Sequence, residues 1–310
     1  MFEVAGLVAP LFSLIILGYL AGRIKKLPLE GLAWLNFFVI YVALPAMFFQ
    51  YLSKIPISEF AAFKFIAVTT TTTLYVFVLC FVIAILRSRK QIGEAAIQGF
   101  AGAYGNIGYM GPPLAIAAFG PAAIVPAALI FVFDNTMHFI LAPAIMAMRD
   151  NKHRSIIHLI GKILKNIFTH PFIIATIVGI GAAAINFKSP EPIDKILSML
   201  AGAAAPCALF TMGVTAALRP LKTVPIELSW LVPAKLILHP ALIYIALEIF
   251  GPFDPIFTKT AIIIAALPAA TNVFILAQQY NTWQERASSA VVVSTLLSMI
   301  TVTVTLYFLR

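Results

Sequence analysis

Ten stretches of mostly apolar residues follow one another along this chain, separated only by short polar connections. Each is long enough to cross a bilayer, which takes about 20 residues of helix. They run approximately 4–22, 31–52, 60–86, 95–118, 121–148, 169–187, 193–218, 224–250, 257–280 and 285–309. In hydrocarbon the backbone must satisfy its own hydrogen bonds, so such stretches are read as helices. Composition agrees: 61% of the 310 residues are hydrophobic and 11% are charged, against roughly 25% charged in a soluble domain. The expected fold class is therefore an all-α integral membrane protein with ten transmembrane helices. The first span opens at Val4 without a basic leader and is expected to be retained. Residues 155–168 are shorter and amphipathic and are read as an interfacial lead into span six. Cys80 and Cys207 fall in apolar runs and read as inert thiols.

The formal net charge of +9 does not point to nucleic acid, because the basic residues lie between apolar runs and are not interleaved with aromatics. Fourteen of the 21 lysines and arginines lie in the odd-numbered connections, among them Arg23, Arg87, Arg149 and Arg219. The positive-inside rule then places those connections in the cytoplasm and both termini outside. A cell membrane is the expected location, the inner membrane if the source is bacterial.

The basic connection near residue 150 divides the chain into two sets of five spans, 1–150 and 151–310. Five is odd, so homologous halves would be inverted relative to each other. Internal likeness supports that arrangement. Span two carries ALPAMFF with Pro45, and span seven carries AAPCALF with Pro206. Span four carries GNIGYMGPPLA, and span nine ALPAATNVFILA, each joining mid-span proline to asparagine. Paired interruptions at corresponding places in two halves are the sequence sign of a secondary transporter's binding site. Proline removes a backbone donor and clashes with the preceding turn. The break in span four is expected at Pro112 and Pro113, and that in span nine at Pro268. Half-helix N-termini there would present bare N–H groups and a positive dipole end to an anion. The expected substrate-binding set is Asn106, Tyr109, Pro112, Pro113, Pro268, Thr271 and Asn272.

Ionisable residues inside spans are costly and read as functional. Asp134 and His138 lie four apart in span five, and Lys235 and His239 repeat that spacing in span eight. They are candidates for ion coupling by H+ or Na+, against a structural Asp134–Lys235 ion pair or a Lys235 that snorkels to the interface. The run Thr69 to Thr73 reads first as hydroxyls bonded back to their own helix. No nucleotide loop, H-E-x-x-H pattern or nucleophile elbow occurs, so neither enzyme chemistry nor a cofactor or metal is expected.

Three motifs carry a family resemblance: GNIGYMGPPLAIAAFG (Gly105 to Gly120), LFTMGVTAALRP (Leu209 to Pro220) and AALPAATNVFILAQQYN (Ala265 to Asn281). With them the whole chain, in order, resembles the auxin efflux carrier family, without the long hydrophilic insertion of the plant exporters. The resemblance implies two inverted five-helix repeats with crossed, proline-broken helices four and nine. It implies a scaffold and dimer face from helices 1, 2, 6 and 7, and a transport domain from helices 3–5 and 8–10. An elevator-type motion, a homodimer and small carboxylate substrates, auxin-like or dicarboxylate, are also implied. Asn106 carries over as a carboxylate contact, and Pro113 and Pro268 as the crossing prolines. Two departures are Phe172 after the proline of span six and Thr271-Asn272 in span nine. A sensor or channel without turnover is the alternative from another class.

Overall fold

The computed structural model describes residues 2–25, 28–60, 62–87, 91–150, 156–218 and 224–309. These residues are helical almost throughout. Among them, an isolated antiparallel bridge pairs Gly105 with Ala269.

The helical runs are α1 (Phe2–Lys25), α2 (Ala33–Leu52), α3 (Phe63–Arg87), α4 (Ile92–Ala103), α5 (Gly111–Phe119), α6 (Ile124–Asp150) and α7 (Ile156–Phe168). They continue as α8 (Pro171–Ala184), α9 (Glu191–Leu218), α10 (Leu228–Phe250), α11 (Pro255–Ala265), α12 (Thr271–Gln279) and α13 (Gln284–Leu309). Among the described residues, six runs are long and apolar enough to cross a membrane: α2, α3 with its lead-in, α6 with its lead-in, α9, α10 and α13. Predicted spans four and nine are each divided into two short helices, and span six holds the 14-residue α8.

Proline shapes two runs in the same way. Residues Val39–Ala43 of α2 and Ala234–Leu238 of α10 form π-helical turns, each followed within two residues by a proline, Pro45 and Pro240. The proline lacks the N–H that an α-turn needs. The preceding residue bonds five back instead, Leu44 to Val39 and His239 to Ala234. Pro206, by contrast, sits within an α9 assigned as α-helix throughout.

The helices form two compact units. Unit 1 comprises Met1–Ala62, Gly108–Leu129 and Thr169–Pro220; unit 2 comprises Phe63–Ile107, Ile130–Phe168 and Leu221–Arg310. Each draws residues from both sides of position 150. In unit 1, α1 packs on α9 through glycine. A Cβ on Gly18 would collide with the Phe210 carbonyl, and one on Gly213 with the Ile15 carbonyl. Small residues of this kind let membrane helices approach backbone to backbone. Phe48 of α2 stacks on Phe172 of α8, centroids 5.8 Å apart. In unit 2, α3 and α4 pack closely, with Gly99 against Phe77 and Gly102 against Cys80. Phe77, Phe100 and Leu231 belong to the buried core around them. Cys80 and Cys207 are free thiols.

Candidate functional site

Unit 2 contains one complete helix interruption and the start of a second. α11 stops at Ala265, and α12 resumes at Thr271 after an extended Ala270 with φ −67° and ψ 147°. Pro268 explains the gap, since it has no N–H and disfavours helical geometry in the residue before it. α4 stops at Ala103, where Tyr104 turns extended with φ −76° and ψ 96°. The two interruptions are stitched together. Asn106 N donates to Pro268 O at 2.8 Å, and Ala270 N donates to Tyr104 O at 2.9 Å. From α13, Ser294 Oγ accepts from Ala269 N at 3.1 Å. The backbone groups of Tyr104, Asn106, Pro268, Ala269 and Ala270 named here are thus satisfied inside the protein, as hydrocarbon requires.

The structure moves one expected feature. Span four breaks over Tyr104 to Met110, ahead of Pro112 and Pro113. The two prolines sit in the first turn of α5, where a missing N–H costs no helical hydrogen bond. They start the second half-helix rather than break the first. They also remove two donors from its first turn. The contrast with α12 is chemical. Thr271 and Asn272 keep their N–H groups in a first turn that offers no acceptor of its own, and the N-cap Ala270 brings no side-chain acceptor. Pro112, Pro113 and Tyr109 belong to unit 1, where Tyr109 Oη donates to Asn36 Oδ1 at 3.3 Å.

The remaining predicted substrate residues, Asn106, Pro268, Thr271 and Asn272, come together in unit 2. Asn106 is buried, and Thr271 and Asn272 are half-buried. Asn272 Nδ2 donates to Tyr104 Oη at 2.8 Å, and Tyr104 Oη donates in turn to Asn135 Oδ1. Asn135 Nδ2 is anchored to Phe131 O at 2.9 Å. The Tyr104 ring lies flat on His138, 4.0 Å between centroids. Tyr104 and Asn135 are absent from the sequence-derived set. Tyr104 reads as one more aromatic in an apolar span, and its only signal is its place one residue before the Gly105 motif.

The four ionisable candidates also converge. Lys235 Nζ donates to Ala265 O at 2.5 Å and lies 3.1 Å from His239 Nδ1. His239 Nε2 lies 3.2 Å from Thr73 Oγ1, which donates to Asp134 Oδ2 at 3.1 Å. Asp134 and Lys235 are therefore joined through His239 and Thr73, not as a direct ion pair. Lys235 has no exposed surface, which excludes snorkelling. Within the threonine run, Thr69, Thr71, Thr72 and Thr73 all bond back to their own helix, and Thr73 also reaches Asp134 and His239.

A family described as "Membrane transport protein" matches residues 3–306. The chain belongs to this family, the auxin efflux carriers. It is a membrane transporter and not an enzyme. A Rhizobium meliloti protein named "Putative malonate transporter" is 51% identical over the whole of this chain and 97% of its own length. An uncharacterized transporter of Methanocaldococcus jannaschii is 23% identical, with 93% of each chain covered. The mouse lysosomal cholesterol signaling protein is 24% identical over 93% of this chain, which spans 35% of that longer protein. For an auxin efflux carrier, the stitched interruptions are the polar feature that a multi-pass membrane protein built of apolar helices has most need to account for.

Proposed function

We infer that this auxin efflux carrier is a secondary transporter of small organic anions, and that the paired interruptions hold a substrate carboxylate. The observation that carries the reading is the first turn of α12. It aims the N–H groups of Thr271 and Asn272, with the positive end of its dipole, at the junction where Asn106 is tied to Pro268. Asn106 and Asn272 add neutral amides, which suit a carboxylate without fixing a charge. Likeness to the Rhizobium protein named for malonate narrows the class to short dicarboxylates such as malonate.

The same reading has ten spans in two inverted repeats with both termini outside. Spans 1, 2, 6 and 7 form the scaffold and dimer face, and spans 3–5 and 8–10 carry the substrate in an elevator-type motion. Its test is uptake of radiolabelled malonate by proteoliposomes. A hydrogen bond to a charged group is worth about 1.5–3 kcal/mol, so Asn106→Ala and Asn272→Ala should each weaken apparent affinity by roughly 10- to 100-fold. Unchanged uptake by both variants, beside an active wild type, would refute the site.

A further inference from the structure

Lys235 is a fully buried amine at an unusual address. Ala265, whose carbonyl it meets, is the last residue of α11. The carbonyls of a helix end have no partners in their own helix and carry the negative end of its dipole. In transporters with broken helices, such carbonyl ends are where a coupling Na+ or H+ is held. Two features of the backbone bring the amine here. The π turn of α10 contains Lys235. Gly105, at the other interruption, leaves room, since a Cβ there would lie 3.3 Å from Nζ.

We propose that substrate transport by this chain is coupled to protons and not to sodium, because the Lys235 amine is a tethered cation occupying the carbonyl end of α11, with Asp134 as the group that takes up the coupling proton. The proposal rests on the anion-transport reading above.

The connecting geometry permits proton exchange without water. With His239 as its Nε2–H tautomer, Nζ gives a proton to Nδ1, Nε2 gives one to Thr73 Oγ1, and Thr73 passes its own to Asp134 Oδ2. The net change turns an ammonium and a carboxylate into an amine and a carboxylic acid, with charge conserved. One further proton from solution leaves the network with a single positive charge, which offsets one substrate carboxylate at the adjoining interruption. The groups facing this network are His239 on the same helix, Asp134 and His138 of α6, Thr73 and Cys80 of α3, and Tyr104 beyond α4. Asp134 Oδ1 and both His138 ring nitrogens are buried without a hydrogen-bond partner. They border a cavity of about 10 Å³ also lined by Thr73, Gly105 and Ala265, the room that one water needs. Sodium would have to displace an amine held to the chain by covalent bonds.

The test uses full-length protein in liposomes with malonate as probe. An inward proton gradient of one pH unit should raise accumulation about tenfold, the equivalent of one proton per substrate. A protonophore should abolish the effect, and replacing Na+ by K+ should leave it unchanged. Calorimetry of malonate binding in buffers of different ionisation enthalpy should report uptake of about one proton per malonate by the wild type. Asp134→Asn should bring that number to zero and leave counterflow that no longer varies with pH. Thr71→Val, on a side chain satisfied within its own helix, should retain the wild-type pH profile. Accumulation driven by sodium alone, or malonate binding with no proton uptake, overturns the coupling while leaving the transport reading intact. Absence of counterflow with any dicarboxylate overturns both.

Discussion

Gly213→Ala should destabilise unit 1 by about 3 kcal/mol, the upper part of the range for overpacking a tight core. The added methyl group would fall onto the carbonyl of Ile15 and within 2.8 Å of the Ile15 carbonyl carbon and the Tyr19 nitrogen. These are backbone atoms of α1, so no side-chain rotation relieves the collision. Gly18→Ala meets the Phe210 carbonyl in the same way from the opposite helix. Either change forces α1 and α9 apart and opens the contacts on both sides of them. In a membrane this is especially damaging, because lipid competes for apolar surface as well as protein does, and close packing is what favours association. Gly6 and Gly202 provide controls, since nothing lies within 4 Å of a Cβ at either position. The measurement is the midpoint of thermal aggregation in detergent, read by fluorescence on size exclusion. Gly213→Ala and Gly18→Ala should each lower it by several degrees, while Gly202→Ala should leave it in place. Equal midpoints for all three would mean that the α1–α9 approach does not limit stability.

The interruptions were legible because they are written in residues whose backbone chemistry is strict. Pro268 cannot continue a helix, and the extended Ala270 follows from it. Span four shows where that reasoning errs. Proline predicts a break at Pro112 and Pro113, whereas the chain uses them to begin α5. The interruption itself spans Tyr104 to Met110, where Gly105 and Gly108 weaken the helix. A proline ends one helix or opens the next, and local sequence does not say which. The four ionisable residues were legible as two i,i+4 pairs, since charge inside an apolar run stands out. Their joining through Thr73 was not, because a hydroxyl bonded to its own helix and one reaching another helix have the same sequence context. The same limit applies to the compact units. Apolar patterning specifies which residues span, but which spans pack together is set by steric details such as Gly18 against Phe210.

Tyr104→Phe should lower apparent malonate affinity by about tenfold, a loss of about 1.4 kcal/mol, although the residue carries no charge and reads in sequence as one more aromatic of an apolar span. Its hydroxyl accepts from Asn272 Nδ2 and donates to Asn135 Oδ1. The ring lies flat on His138, and the backbone carbonyl holds Ala270 N. Phenylalanine keeps the last two contacts and removes only the hydroxyl. Asn135 Oδ1 is then left in a buried side chain without its donor, at a cost of about 1–3 kcal/mol, and the Asn272 amide loses the partner that fixes its rotamer. The stability loss and the transport loss separate in a double-mutant cycle. If Tyr104 acts on substrate by orienting Asn272, removing the hydroxyl in an Asn272→Ala background should cost no further affinity, a coupling of about the full single-mutant effect. The stability penalty at Asn135 should persist in that background, because it does not pass through Asn272. Additive losses of affinity would instead show that the tyrosine reaches the substrate, or the helix junction, by a route of its own.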